Sequence, residues 1–200
     1  FDHILVDYYI NDCPIANQFW KLNFLEQIEV PIDDFLKALS RFCSVAYEEN
    51  HPSMKLWRTL VARSSNSIVI TVDICDFSTA ISWYGPIQQP MDLLLKPCQL
   101  ASNPWFHGHV ASAESILLYQ KPGTWLVRQK NIIKGKSRDY ELCYIDGNKK
   151  VYSIPFSQTP DGNFNNNRFP QWNILIDHLQ NAYRFDKNSP CTGSPFASCF

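Results

Sequence analysis

An arginine closes an apolar strand in the stretch KPGTWLVRQK, residues 121–130, and any fold of this chain has to accommodate it. Trp125, Leu126 and Val127 form the short hydrophobic run that fills a buried strand, and Arg128 follows without a break. A guanidinium there is costly to bury unless an anion meets it. The anion is either a carboxylate of the same chain, which makes the pair structural, or a ligand, which makes it functional.

Any such anion site has to be local. With 18 basic and 19 acidic residues the chain carries no overall field that favours nucleic acid or an anionic membrane, and neither is an expected partner. The 200 residues, 45% of them hydrophobic, suffice for one full core or two small ones. Cys13, Cys43, Cys75, Cys98, Cys143, Cys191 and Cys199 are odd in number and never form a Cys-x-x-Cys pair, which argues against a zinc site or a disulfide framework. Buried free thiols and a reducing, cytoplasmic location are expected. The N-terminal FDHILVDYYI is acidic where a signal peptide needs positive charge, and no apolar run approaches the roughly 20 residues of a membrane span. A first residue of Phe1 suggests a fragment of a longer protein.

The pattern divides the chain near residue 100, into 1–99 and 100–200, and the fold class expected is α+β. In the first part, PIANQFWKLNFLEQI repeats Ile15, Phe19, Leu22 and Leu25 at helical spacing after Asp12 and Pro14. DDFLKALSRF, SMKLWRTLV and DICDFSTAISWY continue as helices, with short extended pieces at IEVPI and SIVIT. Helix, loop with a short strand, helix, given twice, is the plan of a paired EF-hand. In the second part, ASAESILLYQ is a short helix and GTWLVRQK, DYELCYID and KKVYSIPF are strands. DGNKK is a tight hairpin turn, and PQWNILIDHLQNAY is a helix with Trp172, Leu175, Ile176 and Leu179 on one face. This plan is a three-stranded antiparallel sheet covered on both faces. The apolar PMDLLL between the parts suggests a packed joint, since a flexible linker is polar or glycine-rich.

WFHGHVASAESILL, then KPGTWLVRQK, a hairpin and FPQWNILIDHL resemble the Src-homology-2 (SH2) domain in order and spacing over residues 104–185. The resemblance implies that Arg128 grips a phosphotyrosine phosphate with two parallel hydrogen bonds, a geometry that lysine does not reproduce. It implies tyrosine-phosphorylated proteins or peptides as partners. The family's usual first-helix arginine falls on Ser112, its third-strand histidine on Val151, and the serine two places after the strand arginine on Lys130. The following stretch, KNIIKGKSRD, is expected to replace the lost charge by folding over the phosphate with Lys130, Lys134, Lys136, Ser137 and Arg138. Tyr152 is the candidate for contacting residues beyond the phosphotyrosine, or else a packing aromatic.

ANQFWKLNFLEQIEVPIDDFLKAL together with WYGPIQQPMDLLLKPCQLASNPWFHGH resembles the tyrosine-kinase-binding region of the Cbl ubiquitin ligases. That region joins a four-helix bundle, an EF-hand and an SH2 domain that also lacks the first-helix arginine. Counted from Val69, the EF-hand-like loop covers 62–73, with an alanine at the first ligand place, Ser64 and Asn66 at the third and fifth, and an aspartate at the last. No cofactor is therefore expected, and calcium is expected to bind weakly if at all. No RING-type cysteine and histidine spacing occurs, and no serine elbow or phosphate loop accompanies His107, His109, Ser112 and Ser115, so the chain is not expected to be an enzyme. A STAT-like linker and SH2 segment, and a degenerate SH2 domain that binds unphosphorylated protein, are the alternatives.

Overall fold

The computed structural model describes residues 4–63, 69–133, 136–165 and 168–200. They form two compact units, one running to Leu100 and including Cys199, the other Ala101–Ser198 with Phe200. The fold is α+β.

The first unit contains helices α1 (Ile4–Tyr9), α2 (Pro14–Phe24), α3 (Ile32–Phe42), α4 (Pro52–Val61), α5 (Ile74–Tyr84) and α6 (Asp92–Ala101), with short strands β1 (Glu29–Pro31), β2 (Ala62–Arg63) and β3 (Thr71–Asp73). Local chemistry sets the helix starts. Pro14 opens α2 where its missing N–H costs nothing, and the Asp73 carboxylate accepts the Cys75 amide at 2.6 Å to cap α5. In α3, Asp33 and Asp34 in the first turn and Arg41 in the last oppose the helix dipole.

The core of this unit is aromatic. Phe77 lies 5.4 Å from each of Phe19, Trp20 and Phe35 and 5.6 Å from Trp57, ring centroid to centroid. On α2 the buried stripe is Ala16, Phe19, Trp20 and Phe24, whereas Leu22 and Leu25 stand 68% and 62% exposed. The expected stripe was wrong there because Phe19 and Trp20 are adjacent and centre the buried face between them, which at 100° per residue turns Leu22 outward.

The three short strands form an antiparallel sheet in the order β1-β3-β2, with Val30 opposite Val72. The second extended piece is therefore Thr71–Asp73, and Val69, 53% exposed, lies outside it. The 62–73 loop counted from Val69 is displaced by three residues from the pairing seen here; Ser64 and Asn66 lie outside the described residues. PMDLLL is packed within the first unit. It leads into α6, whose Leu93 and Leu94 are buried in the first unit's own core, and the Trp57 indole donates to the Leu93 carbonyl at 2.7 Å.

The second unit contains helix α7 (Ala113–Leu117), strands β4 (Trp125–Ile133), β5 (Ser137–Ile145) and β6 (Val151–Gln158), and helix α8 (Trp172–Ala182). The strands form an antiparallel sheet in the order β4-β5-β6. Leu126, Cys143 and Ile145 on one face cluster with Ala113 and Leu117 of α7 and with Cys191. On the other face Trp172 of α8 meets Tyr140 at 5.0 Å, Phe156 at 5.7 Å and Phe164 at 4.5 Å. The turn at DGNKK is built by Asp146, whose Oδ1 accepts the amides of Asn148 and Lys150, both at 2.9 Å, while Lys149 takes φ 63°.

Along its outer edge β4 is paired by two segments remote in sequence. Val127 N–H donates to Trp105 O at 2.7 Å, Gln129 N–H to Gly108 O at 2.8 Å, and Cys191 N–H to Trp125 O at 2.7 Å. Gly108 has φ +61°, and a Cβ there would stand 2.7 and 2.8 Å from ring carbons of Phe196, which itself stacks on Phe106. Gly108→Ala is expected to cost about 1–3 kcal/mol, from left-handed strain and displacement of that ring. A thermal unfolding midpoint unchanged from wild type would contradict this.

His107 is buried beside the same edge, its Nε2 3.2 Å from Cys191 O. Burial lowers its pKa, against a smaller opposing effect of the Cys191 and Pro104 carbonyls. The folded chain then binds fewer protons at His107 than the unfolded chain once the pH falls below about 6.5. The stability contributed by neutral His107 is present above that pH and is lost as the pH falls toward the folded pKa. The unfolding midpoint of wild type should fall more steeply than that of His107→Gln on acidification from about pH 7 to about pH 5. Parallel curves would show that His107 carries none of the slope.

Candidate functional site

Alternation along β4 puts Arg128 on the α7 side of the sheet, and the register places Glu141 of β5 directly opposite. Arg128 Nε and Nη2 both donate to Glu141 Oε2, at 3.0 and 2.8 Å. Nη1 donates to the carbonyls of Ala111 at 3.1 Å and Val110 at 3.3 Å. Only 14% of the Arg128 side chain and 16% of the Glu141 side chain are exposed. The guanidinium that the strand had to accommodate is thus met by a carboxylate of the same chain. Lys130 Nζ adds a second cation 3.5 Å from Glu141 Oε1.

Arg128 also lines an open pocket of about 500 Å³ between the start of α7 and the turn joining β5 to β6. Ser112, Lys149, Lys150, Val151 and Ser153 share the lining, with Glu114 as an acidic member. Ser112 caps α7, its Oγ accepting the Ser115 amide at 3.2 Å. Lys149 Nζ donates to Gln120 O at 3.0 Å, and Lys150 Nζ lies 5.0 Å from the centre of the Tyr152 ring. Below the lining, Cys143 Sγ is 3.3 Å from Ser153 Oγ, and burial pushes its thiol pKa up, so it is held protonated.

The structure does not gather the residues proposed to close over a phosphate. KNIIKGKSRD is largely strand and not a loop: β4 runs on to Ile133 and β5 opens at Ser137. The β-branched Ile132 and Ile133 favour that extension. A bulge between Gln129 and Asn131 leaves Lys130 as the extra residue. Arg138 is corrected outright. It is 6% exposed on the opposite face of the sheet, where Nη1 donates to Gln158 Oε1 at 3.2 Å. Lys136 is exposed and Ser137 half-buried, and neither lines the pocket. Lys134 lies outside the described residues.

Tyr152 is 36% exposed and stacked on Tyr144, ring centroids 5.3 Å apart. It projects to the face away from Arg128, one residue from Val151 on the edge strand β6. A ligand that fills the pocket and also touches Tyr152 has to cross that edge. Glu114, Lys149, Lys150 and Ser153 line the pocket without having been singled out in the sequence, and for the two lysines the Asp146 turn that carries them was the available signal.

No protein-family profile matches the chain. Three kinases of Dictyostelium discoideum are similar to it. It is 27% identical to dual specificity protein kinase shkC over 143 residues, 64% of this chain and 28% of that one. It is 23% identical to dual specificity protein kinase shkB over 198 residues, 96% of this chain and 29% of that one, and 28% identical to dual specificity protein kinase shkA over 222 residues, 94% of this chain and 40% of that one. The chain therefore spans between 28% and 40% of the length of these relatives. No helix among the described residues is long and apolar enough to cross a membrane.

Proposed function

We propose that the second unit is an SH2-type module that recognises phosphotyrosine in protein segments, and that the chain is the recognition part of a larger signalling protein. The observation that carries this reading is Arg128, on the central run of an apolar strand, lining a pocket that Lys149 and Lys150 also line. The order of helix, three-stranded antiparallel sheet and helix supports it, as does similarity to protein kinases, proteins of phosphate signalling.

The first unit is proposed as an EF-hand-like scaffold of the kind found in the Cbl tyrosine-kinase-binding region. Its support is the twofold helix-strand-helix arrangement, α2-β1-α3 and α4-β3-α5, joined through Val30 and Val72. A second reading, a module that no longer binds phosphate, is favoured by one observation: Glu141 already occupies Arg128.

Fluorescence polarisation separates the two. A degenerate phosphotyrosine peptide pool should bind the full chain, with unphosphorylated and phosphoserine pools as controls. A folded chain that does not distinguish these pools would favour the second reading.

A further inference from the structure

We infer that Glu141 is a built-in competitor for the ligand's phosphate, and that it sets how tightly the pocket holds a phosphotyrosine; this rests on the reading of the second unit given above. A guanidinium has five N–H groups. In Arg128, Nε and Nη2 give one each to Glu141 Oε2, and Nη1 turns toward the carbonyls of Val110 and Ala111. One N–H of Nη2 is left. A phosphate held bidentately needs two parallel N–H groups, so Arg128 has to release a present acceptor before it can form that contact.

The acceptor to be displaced is the carboxylate. A phosphotyrosine carries roughly −1.5 to −2 charges at neutral pH and would share one guanidinium with Glu141 across a pocket wall that is largely shielded from water. The backbone carbonyls carry no net charge and oppose the phosphate far less. Lys130 Nζ, 3.5 Å from Glu141 Oε1, is placed to receive the carboxylate when Arg128 lets it go. The exchange moves no atom covalently. Glu141 passes from Arg128 toward Lys130, and the phosphate takes the vacated edge of the guanidinium. Lys149, whose Nζ donates to Gln120 O, also lines the pocket and is a cation that Glu141 does not engage, whereas the Lys150 ammonium stands over the Tyr152 ring.

A competitor and a residue that merely holds Arg128 in place predict opposite signs. The full chain, its Glu141→Gln variant and the double variant Arg128→Ala with Glu141→Gln are titrated with a fluorescent degenerate phosphotyrosine pool, each first checked for a cooperative thermal unfolding transition. Glutamine keeps the length and a neutral acceptor oxygen but removes the charge, so Glu141→Gln should bind at least about tenfold more tightly than wild type. The double variant should lose that gain, which shows that it passes through Arg128. Binding by wild type that is equal to or tighter than binding by Glu141→Gln overturns the inference and leaves the phosphotyrosine reading standing. No phosphate-dependent binding by either overturns both. If Glu141→Gln does not fold, Glu141→Ala replaces it with the same expected sign.

Discussion

Arg128→Ala is expected to weaken phosphotyrosine-peptide binding by about two orders of magnitude or more, because the contact it removes is charge-assisted and partly desolvated. Arg128→Lys should fail nearly as badly, since an ammonium cannot reproduce the planar fork. The substitution also has a cost without ligand. Glu141, only 16% exposed, would keep Lys130 at 3.5 Å as its cation and lose both Arg128 bonds. A lower unfolding midpoint should therefore accompany the lost binding. Adding Glu141→Gln to Arg128→Ala should restore part of the midpoint and none of the affinity. Arg128→Ala with unchanged phosphopeptide affinity would remove Arg128 from the site.

In the first unit the largest expected loss comes from Phe77→Ala. The ring is fully buried and touches Phe19, Trp20, Phe35 and Trp57, which rise from three other helices. Truncation leaves a void that rigid aromatic neighbours cannot collapse to fill, at a cost of about 3–5 kcal/mol. Urea unfolding should show a lower midpoint with an unchanged slope. Leu22→Ala is the control. That side chain was expected on the core face and stands in solvent, so its replacement should shift stability by no more than about 0.5 kcal/mol. A loss of similar size from both variants would contradict the observed orientation of α2.

What could be read in advance was whatever depends on local pattern. The strands around TWLVR, ELCYI and VYSIPF, the turn at DGNKK and the α8 face of Leu175, Ile176 and Leu179 all stand where alternation and helical spacing put them. What escaped depends on register. Whether Arg138 faces the pocket or the far side is a one-residue parity question, and unbroken alternation along β5 from Glu141, in a strand that already opens at Ser137, decides it. Glu141 was not singled out because a cross-strand partner is defined only once two strands have been aligned. The shift from Val69 to Val72 has the same cause: both are branched apolar residues in one short run, and only the pairing with Val30 distinguishes them.

The pairing along the outer side of β4 has a consequence for how copies of this protein meet one another. A sheet that ends in a bare strand offers a row of unpaired amides and carbonyls to any neighbouring chain, and self-association begins there. Here the β4 side is already occupied by Trp105 to Gly108 and by Cys191, and the β6 side carries Pro155, which has no amide to offer. A chain cut at residue 185, where the resemblance in sequence ends, would lose the Cys191 partner and uncover the Trp125 carbonyl. Such a shortened form should aggregate on storage, while the longer form stays monodisperse.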